Sequence, residues 1–200
     1  MAITINGSGT IGGISVGGLP DGIVDTDMLA AGAVTAAKRG DGAILQVKQT
    51  VNTEVESFAS ANTNTFVDIP DMSVTITPTS STNKVLVFFT ANCAQSAAAS
   101  LHLRLVRGST SIFQGDAAGN RLGSTQSLRP AASPYVYELR ALTGAFLDSP
   151  ATTSATTYKL QGTLGSTYSG TFYLNRAKTD SDEDYGPRTA SSIIVMEVAA

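Results

Sequence analysis

From Ala43 to Val198 the chain alternates short apolar–polar runs with turn residues, and no stretch of it carries a helical period. That texture restricts the fold to layered β structure. The run AILQVKQTV offers Ile44, Val47 and Val51 for burial. TFVDI and SVTITP follow, parted by a turn at Pro70–Asp71 and closed by Pro78. In KVLVFFTANC, Val85, Val87 and Phe89 alternate with Leu86, Phe88 and Thr90; both faces are apolar, so a central strand is expected. LHLRLVRG places Leu101, Leu103 and Leu105 inward and His102, Arg104 and Val106 outward, and Arg107-Gly108-Ser109 turns the chain tightly into TSIFQG. Asp116 to Pro134 reads as an extended polar loop, YVYELRALTGAFLDSP as one or two strands, and TTYKLQGTLG with GTFYLNRA as a hairpin. An acidic loop from Lys178 to Arg188 precedes SSIIVMEV, a closing core strand. Roughly nine or ten short strands on this spacing predict an all-β fold, a jelly roll or β-sandwich.

Composition supports this. Only 14% of the 200 residues are charged, whereas 21 serines and 25 threonines carry the polarity. Threonine favours strands and serine favours turns. A net charge of −3 gives no electrostatic reason to expect a nucleic-acid partner. Cys93 is the single cysteine, so no intrachain disulfide forms, and its place at the end of an apolar strand predicts a buried, inert thiol. No apolar run reaches the ~18 residues of a membrane span, so membrane insertion is not expected. MAITINGSGT has neither a basic nor an apolar signal region, which predicts synthesis in the cytoplasm without a secretory leader.

Residues 1–42 differ in kind. They hold ten of the nineteen glycines and almost no large side chains. INGSGTIGGISVGGLPDG buries too little to order itself. Asp25 to Arg39 predicts a short helix, with Asp25 or Asp27 capping its start, Lys38 and Arg39 suiting its end and Gly40 stopping it. A helix so short and poor in apolar residues is marginal alone, so a partner chain or further copies of this one are expected to order it.

The chemical motifs are few. Gly7-Ser8-Gly9-Thr10-Ile11-Gly12 matches a dinucleotide fingerprint, but the strand before and the helix after that the fingerprint needs are both missing. Arg39-Gly40-Asp41 spells an adhesion tripeptide and reads as the helix end and domain entry. Asp180-Ser181-Asp182-Glu183-Asp184 has two open readings, a solvated loop or a site for a hard cation. His102 is the only histidine, so no nucleophilic triad and no histidine-rich metal site can be assembled. Asp68, Asp71, Asp116, Glu138 and Asp148 could meet as a glycosidase pair, but no spacing selects any two of them. Tyr135, Tyr137, Tyr158, Tyr168 and Tyr173 read equally as strand-surface residues or as a stacking platform for sugars. The reading is of a chain without catalytic, metal or cofactor sites, with recognition assigned to the loops 116–134 and 178–188.

The string TINGSGTIGGISVGGLPDGIVDTDMLAAGAVTAAK, from Thr4 to Lys38, resembles the attachment regions of tail-fibre and related virion proteins of marine and cyanobacterial phages. SVTITPTSSTNKVLV, LRLVRGSTSIFQGD and SSIIVMEV are similar in pattern to TNF/C1q-like trimeric jelly rolls. The resemblance implies residues 1–42 as a virion-anchoring and trimerisation segment and residues 43–200 as a jelly-roll knob. It implies a homotrimeric short fibre or spike held to capsid, neck or tail proteins through residues 1–42, located in the virion and contacting a host surface glycan or protein. The alternative is a capsid or neck decoration or cement protein that stabilises the particle without receptor binding. A small depolymerase and a cellular adhesin are the more distant readings.

Overall fold

One strand organises the second of the chain's two compact units, Asp41–Ala200; the first is Met1–Gly40. The computed structural model describes residues 4–5, 11–12, 29, 32–60, 64–96, 99–129, 136–165 and 169–200. In the second unit β6 (Lys84–Gln95) buries Val85, Val87, Phe89, Ala91 and Cys93 on one side and lies mid-sheet, as its two apolar faces predict. Along one edge it pairs with β10 (Arg140–Asp148). The other edge is shared: β13 (Ser191–Val198) pairs with residues 84–90 and β12 (Gly170–Leu174) with residues 93–95. β3 (Ile44–Asn52) lies outside β13, and β4 (Glu56–Ser60) outside β12. This six-stranded sheet faces a five-stranded one, in which β11 (Thr156–Leu164) runs between β5 (Val67–Ile76) and β7 (Leu101–Arg107). β8 (Thr110–Ile112) and β9 (Gln126–Leu128) share the far edge of β7. Every pairing is antiparallel, and the unit is an all-β sandwich of the jelly-roll type.

The alternation in sequence explains the core. Leu101, Leu103 and Leu105 of β7, Tyr158, Leu160 and Leu164 of β11, and Ile193 and Val195 of β13 are fully buried between the sheets. Burial of each such side chain contributes about 1.5–3 kcal/mol. Two glycines allow aromatic rings to lie close. A Cβ on Gly144 would stand 2.5 Å from the Phe89 ring, and one on Gly162 would stand 3.0 Å from Phe172 and 3.2 Å from Phe58.

Polar groups hold the places where the layers meet. The fork in the six-stranded sheet centres on buried Asn175, whose φ of 61° lies in the left-handed region that asparagine tolerates. Its Nδ2 donates to the carbonyls of Asn52 and Glu54, both at 2.9 Å, and its Oδ1 accepts from Ser191 Oγ at 2.6 Å. At one side of the sandwich β3 lends side chains to the edge of β5. Gln46 Nε2 donates to the Thr77 carbonyl (2.7 Å), Thr50 Oγ1 to that of Ser73 (2.7 Å) and Asn52 Nδ2 to that of Pro70 (3.0 Å). Nearby, the carboxylate of fully buried Glu197 accepts from Gln46 Nε2, Thr79 N and Asn83 Nδ2, each at 2.6 Å, and from Thr79 Oγ1 at 2.8 Å. Across the sheets, Arg107 Nη1 and the Tyr158 hydroxyl both donate to the buried Asp148 carboxylate, at 2.7 and 2.6 Å.

Several expectations change. Pro70–Asp71 is no turn between two strands; β5 runs through it, with Asp71 at φ 52° and a register shift against β11 absorbing the irregularity. β11 and β12 do not form a hairpin: they lie in opposite sheets, because Gly162 and Phe172 meet across the core. Val106, placed outward by alternation, is buried. The polar loop 116–134 contains β9, and the 56–60 strand was not expected at all.

In the first unit β1 (Thr4–Ile5) and β2 (Ile11–Gly12) pair antiparallel; Gly7 to Thr10 of the glycine string lie outside the described residues. Of the helix expected over Asp25–Arg39, the described residues form one turn, α1 (Ala36–Arg39). Gly32, at φ 79°, stands in a turn that helical backbone cannot pass through, and Gly40 at φ 77° ends the segment. Asp25 and Asp27, the expected caps, lie outside the described residues.

Candidate functional site

A continuous cluster of buried apolar side chains fills the space between the sheets, which leaves their outward faces to meet other molecules. On the six-stranded sheet, register places Val47, Met196, Leu86 and Leu147 in one row across β3, β13, β6 and β10. The adjoining rows are Gln49–Ile194–Phe88–Ala145 and Val51–Ser192–Thr90–Thr143. None of these twelve side chains is ionised. Val47 and Val51 are each 53% exposed, Leu147 51% and Phe88 39%. Four strands at ~4.8 Å spacing and five residues at ~3.4 Å make an uncharged face on the order of 300 Å².

The five-stranded sheet presents a polar face. Asp68 bonds Lys159 Nζ at 2.8 Å and also accepts from Gln161, which in turn accepts from Arg104 Nε at 2.7 Å. The guanidinium of Arg104 lies 4.3 Å from the centre of the Phe66 ring. Hydrogen bonds from Lys159 and Gln161 hold the Asp68 carboxyl below its ordinary value. At one end of this sheet a cleft of about 470 Å³ opens between the β7–β9 pair and the 116–129 segment. His102 lines it half-buried, its Nδ1 3.3 Å from Ser124 Oγ, and burial pulls its pKa down. Arg121 and Arg129 line the same cleft from the loop.

The residues weighed in sequence are scattered. Asp68 and Asp148 serve the contacts above, Glu138 pairs with Arg140, and Asp71 and Asp116 are exposed. The structure unites no two of these five around a cleft. In the acidic loop Asp180 is held between Arg176, at 2.8 Å, and Arg188. Among the described residues no group of three or more His, Cys, Asp and Glu stands close enough to hold a metal, and no catalytic constellation is present. Cys93 is fully buried, which pushes its thiol far above the usual range. Tyr158 is core, Tyr137 meets Tyr185 edge-on at 4.8 Å, and Tyr173 lies under Arg176 at 4.4 Å; Tyr135 and Tyr168 lie outside the described residues. Arg39, Gly40 and Asp41 are exposed. Among the described residues no helix is long and apolar enough to cross a membrane. Sequence alternation missed the apolar outward face, although Leu86 and Phe88 on the second side of β6 were its signal.

No protein-family model matches the chain, and a search of curated proteins gives no match. Solved structures of infectious bursal disease virus are similar to it in fold. The VP2 subviral particle shares 11% identity at a TM-score of 0.39, covering 78% of this chain and 38% of that one. The Gx strain structure shares 12% at 0.38, covering 77% and 40%. The virus-derived T=1 particle shares 13% at 0.38, covering 78% and 36%. This chain spans about two fifths of the length of those chains. These findings correct the expectation of a bacteriophage fibre with a TNF/C1q-like knob that projects to contact a host. The structures named belong to virus particles and not to fibres, and no fibre family model matches. Most of the Thr4–Lys38 string that carried the expectation lies outside the described residues, and its described end forms one helical turn.

Proposed function

We propose that the chain is a non-catalytic structural subunit that packs against copies of itself in a multi-subunit particle, of the capsid or decoration kind that stabilises a virion without receptor binding. The observation that supports this reading is the uncharged outward face of the six-stranded sheet, with Val47, Phe88 and Leu147 exposed. Contiguous apolar patches on a protein surface mark contacts. At on the order of 300 Å² this one is smaller than the ~800 Å² per partner of a standard stable interface. It suits the centre of a contact that is weak singly and cumulative in an assembly. Residues 1–42 act as the attachment segment of the subunit, joining it to its neighbours in the particle.

Light scattering of the full chain over a range of concentrations tests the reading. A mean mass rising above 20.6 kDa with concentration is expected. A mass that stays at 20.6 kDa up to millimolar chain would remove self-packing as the function of this face.

A further inference from the structure

The structure distributes its arginines unevenly. Arg104 is engaged by Gln161 and Phe66, Arg107 by Asp148, Arg140 by Glu138, and Arg176 and Arg188 by Asp180. Arg39 is also engaged. Arg121 and Arg129 have no side-chain partner among the described residues, and both line the cleft beside His102. Among the described residues no carboxylate lines that cleft, although the chain as a whole carries a net charge of −3. Two guanidiniums that face one hollow, with no carboxylate beside them among the described residues, make a local field opposite in sign to that of the whole molecule.

The walls are held in place before any ligand arrives. Arg121 N donates to the Ala118 carbonyl at 3.1 Å, across a turn that Gly119 makes at φ 58°. Gly115 N donates to the Ser124 carbonyl at 3.1 Å, and a Cβ on Gly123 would stand 2.9 Å from the Gly115 carbonyl oxygen, so the two arms of the loop meet there. Thr125 fixes the far arm to β7: its N donates to the Leu103 carbonyl at 2.8 Å, and its Oγ1 accepts from Leu105 N at 2.9 Å. A loop pinned in this way loses little entropy when a ligand binds.

We propose that this cleft binds an acidic saccharide, one carrying a carboxylate or sulfate group. Arg121 and Arg129 take the oxyanion, for which the planar guanidinium fork is suited. The amides of Asn64 and Asn120 and the hydroxyls of Ser100 and Ser127 supply donors and acceptors for sugar hydroxyls. A volume of about 470 Å³ lies within the range of small-molecule sites. The inference is independent of the assembly face, which lies on the other sheet.

Calorimetric titration of the full chain with sodium glucuronate, sodium sulfate and glucose, at matched ionic strength, tests it. Glucuronate is expected to bind at least about tenfold more tightly than glucose, with sulfate competing for the same site. Arg121→Gln and Arg129→Gln should each weaken glucuronate about tenfold without changing the melting temperature, whereas Arg140→Gln, outside the cleft, should leave binding unchanged. Equal binding of glucose and glucuronate, glucuronate binding that survives both cleft substitutions together, or no binding of glucuronate at millimolar concentration would each overturn the proposal. Sulfate binding without glucuronate binding would overturn the saccharide class.

Discussion

The two sheets obey the same period of two and present opposite outward faces. In the six-stranded sheet the outward positions of β6 and β13 include Leu86, Phe88, Thr90, Ser192, Ile194 and Met196. In the five-stranded sheet those of β11 and β7 include His102, beside Ser124, and Lys159, Gln161 and Arg104, which hydrogen bonds link to Asp68 or to one another. Alternation assigns a residue to a face; it does not say whether that face meets water. The chemistry of the outward set says that. Here one set is charged and hydrogen-bonded, and the other is uncharged and largely apolar.

The largest effect should come from charging the apolar face. Val47→Glu with Leu147→Glu should abolish the concentration-dependent rise in mass and leave the fold intact, since exposed substitutions change stability by only about 0.5 kcal/mol. Ser73→Glu with Thr75→Glu, on the polar face, should leave the assembly unchanged. If both pairs of changes have the same effect on mass, the distinction between the faces fails.

Next in size is Glu197→Ala, which strands the donors Asn83, Gln46 and Thr79 and should cost about 2–4 kcal/mol in urea unfolding. Burial pushes the Glu197 carboxyl up, but hydrogen bonds from Asn83, Gln46 and Thr79 outweigh it, so its folded value lies below its ordinary 4.5. The stabilisation is therefore complete above 4.5 and is lost as pH falls through the folded value. Glu197→Ala should flatten that acid limb of the stability curve, and an unchanged limb would show that the carboxylate does not govern it.

Packing beneath the two faces should differ less. Gly144→Ala drives a Cβ against the Phe89 ring and should cost about 1–3 kcal/mol in thermal unfolding. Gly162→Ala, with more room before Phe172, should cost less. The smallest effect belongs to Asp68→Asn, where an exposed pair with Lys159 is worth ~0–1 kcal/mol. A loss there as large as that of Glu197→Ala would mean that the polar face bears more of the stability than its exposure allows.

Most strands were legible in the sequence because their apolar residues alternate over five or more positions, as in β7 and β13. β4, ESFAS, was not, since Phe58 is its one large apolar residue and its burial comes from stacking on Phe172 at 4.6 Å. The failed hairpin has a related cause: nearness in sequence favours pairing, and it took the Gly162–Phe172 contact across the core to separate β11 from β12. The 116–134 loop was legible as a place, and Asn120, Arg121, Ser124 and Arg129 of the cleft do fall within it. That its two arginines have no side-chain partner among the described residues while the others are engaged is a long-range property. It depends on where Asp148, Glu138 and Asp180 end up, which local pattern does not encode.

The side chains that β3 lends to β5 bear on how copies of the chain can accumulate. A bare β5 edge would offer its carbonyls to a strand of another molecule, and addition of that kind repeats without limit and ends in fibrils. With the carbonyls of Pro70, Ser73 and Thr77 already engaged, that template is withdrawn. Under the self-packing proposed above, growth would then run through meetings of face with face at a set angle, and a set angle lets a ring or shell close after a finite number of members.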